Sequence, residues 1–432
     1  MFLYIDPGTG SMLFTILIGV LGAGIYLLRN VFSKIKFIFT GGKRASGDDG
    51  RADFAVFTDS KRYWNVFKPI MDEMERRGQK VLYLTASPDD AALNENYEHI
   101  TAKFAGEGNK AFARMNMLKA DVVLSSTPGL DVYQWKRSRD VSCYVHIPHA
   151  ASDITIYRMF GIDYYDAVMV SGDYQREQIR KLEALRGLPE KDAPLIGITY
   201  MDEMKKRLDS APPIEKTGRT VLLAPSWGPS SIFSKYGGRI IDALVKTDNN
   251  IVIRPHPQSF ISEKEMLDAL IEKYPESDRL IWDRSTDNFD VLRRADILIS
   301  DFSGVIFDFM LVFDKPVIYA DTEFDTSVYD AWWLDEELWT FKTLEKTGVK
   351  LNENDFDDIG RIIDSCIDSE TLGAERERAR METWANIGSA ASLAADYLIA
   401  MREKVVTTRE KDAEKTVKKP KTNAEKHKAE GR

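Results

Sequence analysis

Three short stretches of this sequence carry the side chains best suited to chemistry. The first is Arg254-Pro255-His256-Pro257. An imidazole held between two prolines sits on a stiff loop. It can donate an N–H to a phosphate oxygen or protonate a leaving phosphate, and Arg254 beside it adds a fixed positive charge. The second stretch is Ser300-Asp301-Phe302-Ser303-Gly304-Val305, directly after an apolar run. Ser303 suits a helix N-cap, and Gly304 lets a ligand come close to the backbone. Free N–H groups at Ser303, Gly304 and Val305, with the helix dipole, favour a phosphate there. A plain capped helix without a ligand accounts for the same residues equally well. Asp308, further along that helix, reads as a residue that holds the domain together.

The third stretch, His146-Ile147-Pro148-His149-Ala150, brings two histidines close together. One of them can serve as a general base toward a hydroxyl. Two loop histidines satisfied by neighbouring backbone is the competing account. The His-x-x-His spacing lacks a helical i, i+4 pair and a clear third ligand, so no metal is expected. Ser226 is a further candidate for contact with a nucleotide, whereas Trp227 beside it reads as loop packing. Lys61 and Arg62 read as a solvated helix start.

The elements that must position these residues alternate in type. Short apolar runs at 53–58, 80–85, 121–125, 142–146, 167–171 and 194–198 are separated in places by helical patterns such as 63–77 and 174–186. The pattern restarts with strands expected at 220–224, 251–254, 280–282, 296–300 and 316–320, and helices at 239–246, 263–273, 288–294 and 305–312. Apolar strands between amphipathic helices predict parallel sheets covered on both faces. The expected fold is α/β: two facing, doubly wound, Rossmann-like domains, residues 51–210 and 211–373, with a Pro-Pro hinge near 212. A single helix is expected over 374–403. In such sheets ligands lie at the carboxyl ends of the strands, where all three stretches fall.

The ends of the chain differ from its body. Residues 7–28 contain no charged side chain and are long enough for one membrane crossing, which takes about 20 apolar residues. Arg29, Lys34, Lys36, Lys43 and Arg44 follow and Asp6 precedes, so the catalytic body is expected on the cytoplasmic side of the inner membrane. A cleaved signal peptide would need a basic start and a small-residue cleavage site. Residues 1–40 are thus read as anchor and basic flank, and 41–50 as linker. Residues 404–432, dense in Lys, Glu and Thr, are expected to be disordered. The net charge of −9 argues against a nucleic-acid partner, and two distant cysteines fit a reducing compartment.

Arg254-Pro255-His256-Pro257 followed by Ser300-Asp301-Phe302-Ser303-Gly304-Val305-Ile306-Phe307-Asp308 resembles the CDP-glycerol glycerophosphotransferases, the teichoic acid primases and polymerases. The resemblance covers roughly residues 142–321. It implies a GT-B fold, two Rossmann-like domains around a cleft. It implies donor-phosphate binding by His256, Ser300, Asp301, Ser303 and Gly304. His149 is the position most similar to the family's proposed base, although Pro148 and Ala150 replace the family's flanking Trp and Gly. Ala224-Pro225-Ser226-Trp227-Gly228 lacks the family's Arg, and Gly197-Ile198-Thr199-Tyr200 replaces its Gly-x-Pro-Arg. The activity implied is transfer of glycerol phosphate from CDP-glycerol, or another nucleotide-activated donor, to a lipid-linked or polymeric acceptor, with release of CMP and no cofactor. A glycosyltransferase of the same fold using a nucleotide sugar, and a membrane-bound protein that binds nucleotide without turnover, are the alternatives.

Overall fold

Side chains alternate along a strand, so an apolar run without interruption must be covered twice. In the first strand Phe54 and Val56 join one hydrophobic cluster while Ala55 and Phe57 join another. The computed structural model describes residues 50–418, apart from 286 and 321. It contains two parallel six-stranded sheets. The first has the order β3-β2-β1-β4-β5-β6. Its strands are β1 (Ala52–Thr58), β2 (Val81–Thr85), β3 (Ile100–Phe104), β4 (Ala120–Ser125), β5 (Val141–His146) and β6 (Ala167–Val168). The second has the order β12-β11-β10-β7-β8-β9. It comprises β7 (Thr220–Leu223), β8 (Asn250–Ile253), β9 (Leu280–Trp282), β10 (Ile297–Ser300), β11 (Val317–Ala320) and β12 (Gly348–Leu351). In each sheet the strand order reverses at the middle, between β1 and β4 and between β7 and β10. The loops leaving those strands diverge there and open a crevice.

The two lobes share one core. Phe54 and Val56 of the first sheet and Leu222 and Leu298 of the second belong to the same middle cluster. Val221 and Leu223 bury the opposite face of the second sheet. Two strands were not expected. In β3 only Ile100 is buried, and β12 buries only its two end residues. Both are edge strands, which have few inward apolar positions and so give little sequence signal. The strand expected at 194–198 amounts to an isolated bridge between Val170 and Leu195.

The helix expected over 374–403 is two helices, Glu370–Thr383 and Ala390–Lys418. Between them the chain turns through positive φ at Asn386 and Gly388. Asp202 of the first lobe holds this break: its carboxylate accepts from Trp384 Nε1 and from the N–H groups of Gly388 and Ala390. Residues 404–418, expected to lack structure, continue the second helix. Buried Ala394, Ala395 and Leu398 seat it on the first lobe. Arg402 and Arg409 then reach Asp53 and the buried Asp121, each at 2.5 Å. Beyond residue 403 only Val405 packs against the core, so this part of the helix carries little apolar signal of its own. The anchor and linker expected over residues 1–49, and the tail beyond 418, lie outside the described residues. Among the described residues no helix is long and apolar enough to cross a membrane.

Buried charge also ties the lobes together. The Arg186 guanidinium lies 2.6 Å from Asp163 in its own lobe and 2.5 Å from Asp330 in the segment between β11 and β12. Asp330 has no exposed surface and also accepts from the Phe160 and Gly161 N–H groups. Asp153 of the first lobe takes the N–H groups of Trp339 and Thr340, both at 2.8 Å. Arg186→Ala leaves two buried carboxylates uncompensated, at a cost of about 3–5 kcal/mol. The expected outcome is a clearly lower urea midpoint with unchanged helix content by circular dichroism.

Candidate active site

The floor of the site is the crevice between β7 and β10. Ser300 and Asp301, expected to touch donor phosphates, lie beneath it instead. Ser300 Oγ donates to the Ala224 carbonyl at 2.6 Å, with no exposed surface. The buried Asp301 carboxylate accepts from the N–H groups of Ser226 and Ile232, both at 3.0 Å, and of Phe302 at 2.8 Å. Burial raises its pKa against those N–H groups. A carboxylate so engaged offers a phosphate nothing, and its work is to pin the loop after β7 to the loop after β10. Ser226, a predicted nucleotide contact, is itself buried and its N–H belongs to Asp301. The residue that does face outward is Trp227, 44% exposed, with its ring 6.4 Å from that of His256.

Gly304, not Ser303, occupies the cap position of the next helix. The first internal bond runs from Ile306 N to Ser303 O, so the N–H groups of Ser303, Gly304 and Val305 precede it. The expected helix at 305–312 is α-helical only over Val305–Phe307 and then widens into a π-turn over Asp308–Val312. His256 stands at the end of the neighbouring strand β8. Its Nδ1 accepts from the Gln258 N–H at 3.1 Å, which places the ring proton on Nε2. Burial, and then Arg62 of the first lobe, lower its pKa to about 4. At neutral pH His256 is therefore an uncharged N–H donor and not an imidazolium. Arg254, predicted to bind phosphate, is instead paired with Asp283, and both side chains are largely buried. Its charge is compensated within the fold.

The facing wall comes from the first lobe. His149 lies half-buried in the loop after β5, its ring 4.7 Å from that of Tyr63. Burial lowers its pKa to about 4. His146, the other candidate, is fully buried one turn of chain behind it, with a pKa lowered to about 3 by burial and then by His149. It stands behind the surface and not on it. Between the two rings stands the Tyr157 hydroxyl. Asp59, at the end of β1, accepts from Thr127 Oγ1 at 3.1 Å, and burial raises its pKa. Tyr63 is pushed up to about 12 by burial and by Asp59. Tyr157 carries no motif and was missed, whereas a strand-end carboxylate such as Asp59 is a signal that can be read from sequence.

The two walls meet. A Cβ placed on Gly304 would stand 3.4 Å from the Ala150 Cβ, one residue beyond His149. Arg62 acts on His256 from the opposite lobe. The start of the helix at Gly304 and the loop that carries His149 therefore lie side by side.

Comparison with known proteins now bears on this arrangement. Residues 169–331 match the model of the CDP-glycerol:poly(glycerophosphate) glycerophosphotransferase family. The chain is similar to a family of transferases. The matched segment runs from just after β6 to the segment carrying Asp330, and so contains His256 and the Ser303–Val305 turn. No curated protein matches the sequence. Among solved structures, the S. aureus MnaA–UDP complex is 13% identical with a TM-score of 0.52, covering 78% of this chain and 93% of that one. UDP-GlcNAc 2-epimerase from Methanocaldococcus jannaschii, in complex with UDP-GlcNAc and UDP, is 12% identical with a TM-score of 0.51, covering 80% and 98%. These likenesses establish the fold alone, an α/β pair of parallel sheets shared with those two proteins.

Across the cleft Tyr200 donates to Asp308 Oδ1 at 2.9 Å, so Asp308 joins the two lobes. Burial lifts this carboxyl from 3.8 to about 6, against hydrogen bonds from Tyr200 and Asn288. Between those two values the folded protein keeps a proton that the unfolded chain has lost. Stability from this group therefore falls as pH rises through that window, by about 3 kcal/mol, and is level above it. Asp308→Asn should remove the slope and raise the urea midpoint at pH 8.

Proposed function

We propose that this protein transfers glycerol phosphate, or a related polyol phosphate, from CDP-glycerol to a hydroxyl of a lipid-linked or polymeric cell-envelope acceptor, releasing CMP. The approach of Gly304 to Ala150 carries the reading, because it sets the helix start of one lobe beside the imidazole of the other. The family match over residues 169–331 supports the reaction class. In this reading the donor phosphates lie against the N–H groups of Ser303, Gly304 and Val305 and the Nε2–H of His256. Fixed donors of this kind stabilise charge that develops on the leaving phosphate without reorganising. Trp227 offers an exposed aromatic face near the same phosphates, suited to the donor's base. Arg62, reaching in from the first lobe, supplies the positive charge that Arg254 does not.

His149 is the base. With its pKa near 4, the ring is unprotonated at neutral pH and ready to take a proton. The acceptor oxygen, as its proton passes to His149, attacks the distal phosphorus. The bond to the CMP oxygen breaks and its electron pair leaves with CMP. Residues 1–40 would hold the body at the cytoplasmic face of the membrane, near an envelope acceptor.

Purified protein incubated with CDP-glycerol and acceptor should release CMP and form a phosphodiester. His149→Ala and His256→Ala should each lower kcat by about 100-fold or more. Release of a nucleoside diphosphate from a nucleotide sugar, with a new glycosidic bond, would replace this reading with glycosyl transfer. Nucleotide binding without turnover would mark a binding protein. Activity should be level around neutrality and fall as pH drops through the range near 4, where His149 takes up a proton. Deleting residues 1–40 should move the protein from the membrane fraction to the supernatant.

A further inference from the structure

Behind His149 lies a line of polar atoms that the reaction above does not use. His149 Nδ1 is 3.4 Å from the Tyr157 hydroxyl oxygen, which is 3.1 Å from His146 Nε2. A phenol carries one hydrogen and can donate only once, while its oxygen can also accept. We propose that Tyr157 donates to His146 Nε2 and accepts from His149 Nδ1–H, so that Tyr157 and His146 are positioning residues that keep the His149 Nε2 lone pair turned toward the cleft. The proposal rests on the reading of His149 as the base.

The direction of this chain follows from its buried end. His146 closes β5 with no exposed surface, its ring edge-on to Tyr157 at 5.2 Å and 4.9 Å from Tyr165. Burial keeps the ring neutral, so one nitrogen carries the proton and the other accepts. Nδ1 is enclosed, with no partner in hydrogen-bond geometry, whereas Nε2 makes the shorter of the two contacts to the phenol, 3.1 Å against 3.4 Å. A proton on Nδ1 leaves Nε2 to accept from the phenol. The phenol oxygen then offers only lone pairs to His149, so the 3.4 Å contact is a hydrogen bond only with the proton on His149 Nδ1. With the opposite tautomer of His146, Tyr157 would donate to His149 Nδ1, and the free lone pair of the base would point into the protein.

The surroundings allow a neutral chain of this kind. Asp59 from the end of β1, Tyr63 from the turn after it and Tyr165 ahead of β6 are the titratable groups facing it. Among the described residues no carboxylate hydrogen-bonds to either imidazole. A neutral Tyr–His pair therefore does what a carboxylate does beside many catalytic histidines: it selects one tautomer and one ring orientation. No proton moves along the chain during turnover. The acceptor's proton goes to His149 Nε2, the new P–O bond forms as the bond to CMP breaks, and the imidazolium then returns its proton to water.

Nitrogen-15 NMR of histidine-labelled protein without any donor tests the chain independently of the reaction. His149 should appear as the Nδ1–H tautomer and His146 as Nδ1–H with an accepting Nε2. A proton on His146 Nε2 in the unmodified protein overturns the proposal, even if every variant misfolds. Tyr157→Phe should turn His149 into a mixture of tautomers and lower kcat by on the order of 100-fold, with the donor KM within about twofold. His146→Phe should reproduce both effects, and His146→Gln, which restores an acceptor, should recover part of kcat. Unchanged tautomers and kcat in Tyr157→Phe would refute the chain. Should the protein prove inactive on CDP-glycerol while the tautomers are as described, the functional reading fails and the hydrogen-bonded chain stands.

Discussion

Two parallel sheets can share a cleft only if something holds their edges together without filling the space between the strand ends. In this protein that constraint is met behind the cleft, by buried charge. Arg186 bridges Asp163 of one lobe and Asp330 of the segment that crosses from the other. Asp153 holds the backbone of Trp339 and Thr340, and the Trp339 ring stacks between Tyr174 and Phe307. Carboxylates of one lobe thus terminate backbone of the other. Such contacts have direction and fixed length, which apolar packing alone lacks. They accompany the approach of Gly304 to Ala150, which brings the helix start of one lobe beside the loop that carries His149.

Electrostatics inside the cleft follow from the same closure. Burial keeps His256, His149 and His146 neutral at physiological pH. A neutral His256 with its proton on Nε2 is a donor of fixed direction, and a neutral His149 has one ring nitrogen free to accept. The cations divide into two sorts. Arg254 is matched within its lobe by Asp283, while Arg62 meets the cleft from the other lobe. In the proposed reading a phosphate is held chiefly by N–H dipoles, with Arg62 as a cation that depends on the lobes being together.

Two residues of the Ser300–Val305 stretch proved to be framework. Ser300 and Asp301 belong to it in sequence, and both are buried with their polar atoms committed to backbone around Ala224, Ser226 and Ile232. A motif constrains loop shape as firmly as it constrains ligand contact, and residue type alone does not separate the two. A serine hydroxyl serves a carbonyl as well as a phosphate. The reverse holds for Trp227, whose type favours packing but whose position leaves its face open.

The sequence by itself determined the two rounds of parallel strand and helix, because a buried parallel strand needs an uninterrupted apolar run. It also placed His149, His256 and the Ser303–Val305 turn at strand ends. It could not show β3 or β12, whose exposed edges carry no such run, nor the helix through residues 404–418, where Arg409 pairs with Asp121 of the distant strand β4. Only the tertiary structure decided which of two histidines faces the cleft, which arginine is already paired, and that Tyr157 stands between the rings. Those outcomes turn on distances between segments far apart in the chain, and local spacing carries no information about them.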